Sequence, residues 1–139
     1  MANKKDEERR VRFGSYAAEE DMDYCRQSMA AKGLPAIPQE YANFVKSCNG
    51  YSRRGVVFYG TNQGEVLEKG HGLVSNNEDF AKYNKDLRHC VLLGRANMDQ
   101  FLYNPETERY QIVERGYVSA EEEFDTFAQM LDYANRSYK

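Results

Sequence analysis

The sequence predicts a single α+β domain in the order α-α-β-β-α-β-β-β-α, with a largely antiparallel sheet of about five strands and helices packed on it. Three observations predict it. Apolar residues recur at helical spacing before residue 48 and again after residue 124. Between those limits lie short β-branched and aromatic runs bounded by glycine. The later runs follow one another through short turns, which join antiparallel strands and cannot join parallel ones.

The first helix is read from Ser15, which can cap it, through Ala18, Met22, Cys25 and Met29 on one face to a stop at Gly33. The second lies in LPAIPQEYANFVKSCNGY, residues 34–51. Pro38 suits its first turn because a first-turn N–H has no helical partner to lose. Tyr41, Phe44, Val45 and Cys48 form its apolar face, and Asn49-Gly50 reads as a C-cap rather than a hairpin turn.

GVVFYG (55–60) is the first strand and EVLE (65–68) a short second one. Ser75 with Glu78 makes a capping-box pattern for a helix carrying Phe80, Ala81, Tyr83 and Leu87. CVLLG (90–94) is a continuous apolar run, as expected of a central strand. DQFLY (99–103) and YQIVE (110–114) form a hairpin around Asn104-Pro105, a good start to a type I turn. The last helix carries Phe124, Phe127, Met130, Leu131 and Ala134, and begins either at the Ser119/Glu122 capping box or near Asp125.

With 139 residues the chain is the length of one domain, here divided into a charged arm over residues 1–14 and a folded unit over 15–139. That size buries enough surface to fold without disulfide or metal staples. The net charge of -3 argues against a dedicated nucleic-acid binder. The charge is uneven: residues 1–12 carry five basic and three acidic side chains, whereas residues 119–132 carry five acidic and no basic ones. No run is long enough for a membrane span and no secretory h-region opens the chain, so a cytoplasmic location is expected. Cys25, Cys48 and Cys90 sit inside apolar patterns without CxxC spacing and are expected to be reduced, buried thiols.

Taken in order, these residues resemble the SUKH superfamily, in particular its YrhA-like bacterial branch. The resemblance is carried by Leu34-Pro35, the Tyr41-x-x-Phe44 helix ending at Asn49-Gly50, and Phe58-Tyr59-Gly60. It continues through Leu92-Leu93-Gly94-Arg95, Phe101-Leu102-Tyr103-Asn104-Pro105 and the closing Phe124–Leu131 with Phe127. The chain departs from the pattern in having no Trp, and in placing Tyr51 where many members carry a second glycine. The resemblance implies a scaffold role for Leu34, Pro35, Tyr41, Phe44, Asn49, Gly50, Gly60, Gly94 and Phe127. It also implies a non-enzymatic protein-binding domain, an immunity protein that neutralises a cognate bacterial toxin by occlusion, the toxin often being a nuclease and a basic nuclease being one candidate. The alternative is an intracellular regulatory scaffold that binds a housekeeping or signalling protein.

No chemistry-bearing motif competes with that reading. His71 and His89 have no second ligand at metal spacing, and the glycines lack phosphate-loop spacing. No cofactor, metal or catalytic residue is implied. For partner binding, the candidates are the acidic residues Asp79, Asp99, Glu121, Glu122 and Glu123 with Tyr51, Tyr59 and Tyr103, an acidic and aromatic patch that would meet a basic partner. The plainer reading of Glu121–Asp125 is a set of carboxylates at a helix N-terminus, favoured by the helix dipole.

Overall fold

Among the described residues six strands pair in chain order, each antiparallel to the one before it. A computed structural model describes residues 19–61 and 71–138. Its elements run α1 (Glu19–Ala31), α2 (Gln39–Ser47), β1 (Tyr51–Arg53), β2 (Val56–Phe58), α3 (Leu73–Tyr83), β3 (Val91–Ala96), β4 (Asp99–Asn104), β5 (Arg109–Glu114), β6 (Glu122–Phe124) and α4 (Phe127–Ser137). The α+β class is as expected. The arm over residues 1–14, the Ser15 cap, Ala18 and the EVLE strand lie outside the described residues.

Two strands differ from the expectation. The early hairpin partner is Tyr51–Arg53, which follows Gly50 directly; Arg53 faces Val56 across the two-residue turn Arg54-Gly55. Both turn residues have positive φ, +52° and +82°, as a type I′ turn requires. At the other edge, Glu122–Phe124 is strand β6, not the first turn of the last helix. That helix starts after Thr126, whose hydroxyl accepts from Gln129 N while Gln129 Oε1 accepts from Thr126 N. The Glu40 carboxylate on α2 accepts from Phe127 N (2.8 Å) and Ala128 N (3.1 Å), so a second element satisfies the remaining first-turn donors. A similar correction applies to α3. It begins at Leu73 behind Gly72, because Gly60 and Gly72 form a bridge there, and Ser75 sits inside the helix and does not cap it.

The helix stops follow the sequence. Gly33 has φ +69°, and Leu34 N reaches back to Met29 O (2.9 Å) while Gly33 N reaches Ala30 O (3.0 Å), the two bonds of a Schellman cap. Met22, Cys25 and Met29 are buried, as their spacing predicts.

One face of the sheet carries Phe58, Phe101, Tyr110 and Phe124, and α2 and α4 cover it. Phe127 is the hub, within 4.8 to 5.2 Å, centroid to centroid, of Phe44, Tyr41 and Phe58. Such aromatic pairs contribute about 0.5–1.5 kcal/mol each beyond their burial. Tyr41, Asn49 and the glycines near them tie this layer to the sheet. The Tyr41 hydroxyl donates to the carbonyls of Tyr59 and Leu93, tying α2 to β2 and β3, and burial pushes its phenol pKa well above the ordinary value. Asn49, buried at the end of α2, accepts from Thr61 N (2.7 Å) and donates to Thr61 Oγ1 (3.0 Å). Gly50 has φ +87°, and a Cβ on Gly60 would lie 2.1 Å from Asn49 Oδ1, so only glycine lets the two segments touch. Asn49→Ala removes both side-chain bonds to the buried Thr61, and is expected to cost about 1–3 kcal/mol in urea unfolding with an unchanged m-value.

Candidate protein-binding groove

On the opposite face, β3 begins beyond the reach of β2, whose paired residues meet only Gly94, Arg95 and Ala96. α3 lies there instead, held by Asn77: its carboxamide accepts from Leu92 N (2.7 Å) and donates to Leu92 O (2.8 Å), as a neighbouring strand would. Because α3 is a helix standing in for a strand, it leaves a gap beside the sheet. A cleft of about 660 Å³ opens between α3, β3 and the turn joining β3 to β4. A smaller one of about 220 Å³ shares Tyr83, Asn84 and Gly116 with it and runs on to Tyr117 and Val118. The two adjoin at those shared residues and are taken together as the groove.

Tyr59 and Arg95 lie along the cleft, with the guanidinium 5.7 Å from the ring centre and Nη1 donating to the hydroxyl at 3.2 Å. Asp79, Phe80 and Tyr83 come from α3 and Met98 from the tight β3–β4 turn, fixed by Arg115 N donating to Met98 O (2.7 Å). Gln100 also lines it, and its Oε1 is buried without a hydrogen-bond partner among the described residues. An unmet buried acceptor costs about 1–3 kcal/mol, so this one marks a place where a donor is wanted.

Five large apolar side chains are exposed among the described residues: Tyr24 on α1, and Tyr83 (73%), Met98 (54%), Tyr117 (63%) and Val118 (58%), all four on the groove. Isolated exposed apolar residues mean little, but their gathering at one concavity is the mark of an interaction site. The larger cleft is lined by Tyr, Phe, Met and Arg, types enriched at interface cores, together with Asp79 and Asp99, a type depleted there.

The sequence-derived candidates divide. Tyr59, Asp79 and Asp99 line the groove. Tyr59 does so as a buried residue, 2% exposed, whereas the sequence placed it at the surface. Tyr51 is half-buried, packs on Phe44 and Phe58, and donates to Asn135 Oδ1 (2.6 Å). Tyr103 is half-buried against Tyr110. Neither is a free interface tyrosine. Glu121, Glu122 and Glu123 are exposed on and beside the β6 edge, not on a helix N-terminus, so the dipole account of them fails. Desolvation, then the charges of Asp99, Glu114 and Glu122, raise the Glu121 carboxyl above its ordinary value. Glu123 turns to the other face and pairs with Arg109 at 2.9 Å, and Arg109 also holds Asp125 at 3.0 Å.

The exposed residues that sequence reading missed carried faint signals. Met98 occupies a two-residue turn, normally a polar position, and Tyr117-Val118 follows Gly116 where no strand pattern continues.

Nucleophilic chemistry finds little support here. Burial, and then the nearby Glu106 charge, push the Cys90 thiol up to about 11; burial pushes Cys25 to about 11 despite Arg26. Both are protonated at neutral pH, far from the thiolate a nucleophile requires. Native protein at pH 8 is expected to react slowly with a thiol reagent at these two residues, and fully once unfolded. Fast native labelling at Cys90 would show an accessible thiolate there and overturn the burial account of its pKa. No group of His, Cys, Asp and Glu among the described residues can hold a metal ion, and no described helix is long and apolar enough to cross a membrane.

Comparison of the chain with family models, with curated proteins and with solved structures returns no match.

Proposed function

We propose that this chain is a non-enzymatic protein-binding domain whose partner seats on the groove between α3 and the β3–β4 and β5–β6 connections. The carrying observation is the concentration of four of five exposed large apolar side chains around that one concavity. Together with the ordered SUKH-like residues, it favours an immunity protein acting in the bacterial cytoplasm. Such a protein would neutralise one toxin by stoichiometric occlusion.

The test is co-expression with the C-terminal domain of the neighbouring upstream gene product, scored by growth and by co-elution on a sizing column. Rescue of growth with a one-to-one complex supports the reading. A toxic domain that is neither bound nor neutralised sinks this pairing, and capture of a host protein in its place moves the reading to a regulatory scaffold. Given a partner, Tyr83→Ala combined with Tyr117→Ala is expected to weaken binding about 30-fold or more, the scale of losing hot-spot aromatics. Both side chains are mostly exposed, so the melting temperature should stay within about 2 °C of the parent.

A further inference from the structure

We infer that the groove takes an extended, uncharged segment of the partner chain with an aliphatic or aromatic anchor, and not a basic surface; this rests on the protein-binding reading above. Three features of the groove point there.

Its charges cancel. Asp79, Asp86 and Asp99 are matched along its length by Lys85, Arg95 and Arg115. Two of the six are already engaged, Arg95 by Tyr59 and Asp99 by the Tyr138 hydroxyl at 2.6 Å. A strongly cationic or anionic occupant would meet as much repulsion as attraction, whereas a neutral one meets none. The acidic neighbours Glu114, Glu121 and Glu122 do not line either cleft.

Its polar lining suits a backbone. Asn97 and Gln100 are carboxamides, and a peptide presents alternating N–H and C=O groups for such side chains to meet; Asn76 and Asn84 beside them already donate to the carbonyls of Gly72 and Phe80.

Its shape is long. Two adjoining clefts with apolar residues at each, Met98 in one, Tyr117 and Val118 in the other and Tyr83 shared, can seat alternate side chains of an extended chain, those that point to one face. Rim apolar groups of this size are more than a small molecule needs, since such ligands bury themselves inside a pocket.

The experiment pans a phage-displayed library of linear peptides against the full chain, then titrates the enriched peptides by fluorescence anisotropy. Enriched sequences are expected to share a large aliphatic or aromatic residue and to carry little net charge. Tyr83→Ala with Tyr117→Ala should weaken them about 10-fold or more, while Glu121→Lys with Glu122→Lys and added salt change affinity by less than about 3-fold. Enrichment of Lys- and Arg-rich peptides, lost in salt and in the Glu→Lys variant, would overturn the inference and move the partner to the acidic edge. Failure to enrich any peptide, with whole-partner capture still abolished by the two Tyr→Ala changes, would overturn it as well. That outcome leaves the protein-binding reading intact, with a folded surface as occupant. Peptides that bind as expected while the co-expressed domain is not captured support the segment and remove the toxin pairing.

Discussion

Gly94→Ala is expected to destabilise the domain by about 3 kcal/mol or more, at the top of the range for forcing one methyl group into a packed interior. The new Cβ would sit 2.1 Å from the Val57 carbonyl oxygen and 3.0 Å from Phe58, atoms of the adjacent strand that cannot move without breaking the ladder. The reason for glycine there extends beyond the clash. Phe58, Gly94 and Phe101 are successive cross-strand partners on β2, β3 and β4. With no side chain on the middle strand, the two rings close over it and stack with centroids 4.8 Å apart. The register also shifts between Leu92 and Gly94, so the strand is already irregular at the position where an extra atom is least tolerable. In a domain of this size about 3 kcal/mol corresponds to a fall in melting temperature of roughly 10 °C. A melting temperature within a degree or two of the parent would show that the strands can part there, and would remove the packing account of Gly94.

The parts of this fold set by local patterning were legible before the structure. Met22, Cys25 and Met29 share a helical face because the spacing of four and three leaves them no alternative. The 99–114 hairpin was legible because two alternating runs flank a turn whose Asn104 side chain accepts from Glu106 N, a strictly local bond. The elements set by neighbours were not. β1 and β6 are three residues each, too short for any alternation to register, and they exist because β2 and β5 offer them edges. A start at the Ser119/Glu122 box and one near Asp125 were equally open in the sequence; the Thr126–Gln129 box, with Glu40 reaching across from α2, fixes the second. The site suffered the same ambiguity. Eleven tyrosines give no local sign of which ring is covered, and Tyr51 and Tyr103 went to the packed layer while Tyr83 and Tyr117 stayed outside. A single-sequence reading could find Asp79 and Asp99 by charge, but not the helix-for-strand substitution that puts a groove beside them.

That substitution depends on Asn77, so Asn77→Leu is expected to produce the broadest loss. It deletes the acceptor for Leu92 N and the donor to Leu92 O, both buried, and each orphaned group costs about 1–3 kcal/mol. It also frees α3, which carries Asp79, Phe80 and Tyr83, so partner affinity should fall along with stability. Asn77→Asp separates the two effects. The carboxylate keeps the acceptor for Leu92 N but turns a second oxygen toward the carbonyls of Leu92 and Leu73, where the amide now donates. Burial and those carbonyls raise its folded pKa above the ordinary value of about 3.9, so the variant is weakest at neutral pH. Stability relative to the parent should recover as the pH falls through the folded pKa, when one oxygen regains a proton to give to Leu92 O. Unfolding by urea at a series of pH values reads this directly. A difference between Asn77→Asp and the parent that is flat with pH would mean that the side chain at 77 is not the tie between α3 and β3. In that case the groove would need another explanation for its shape.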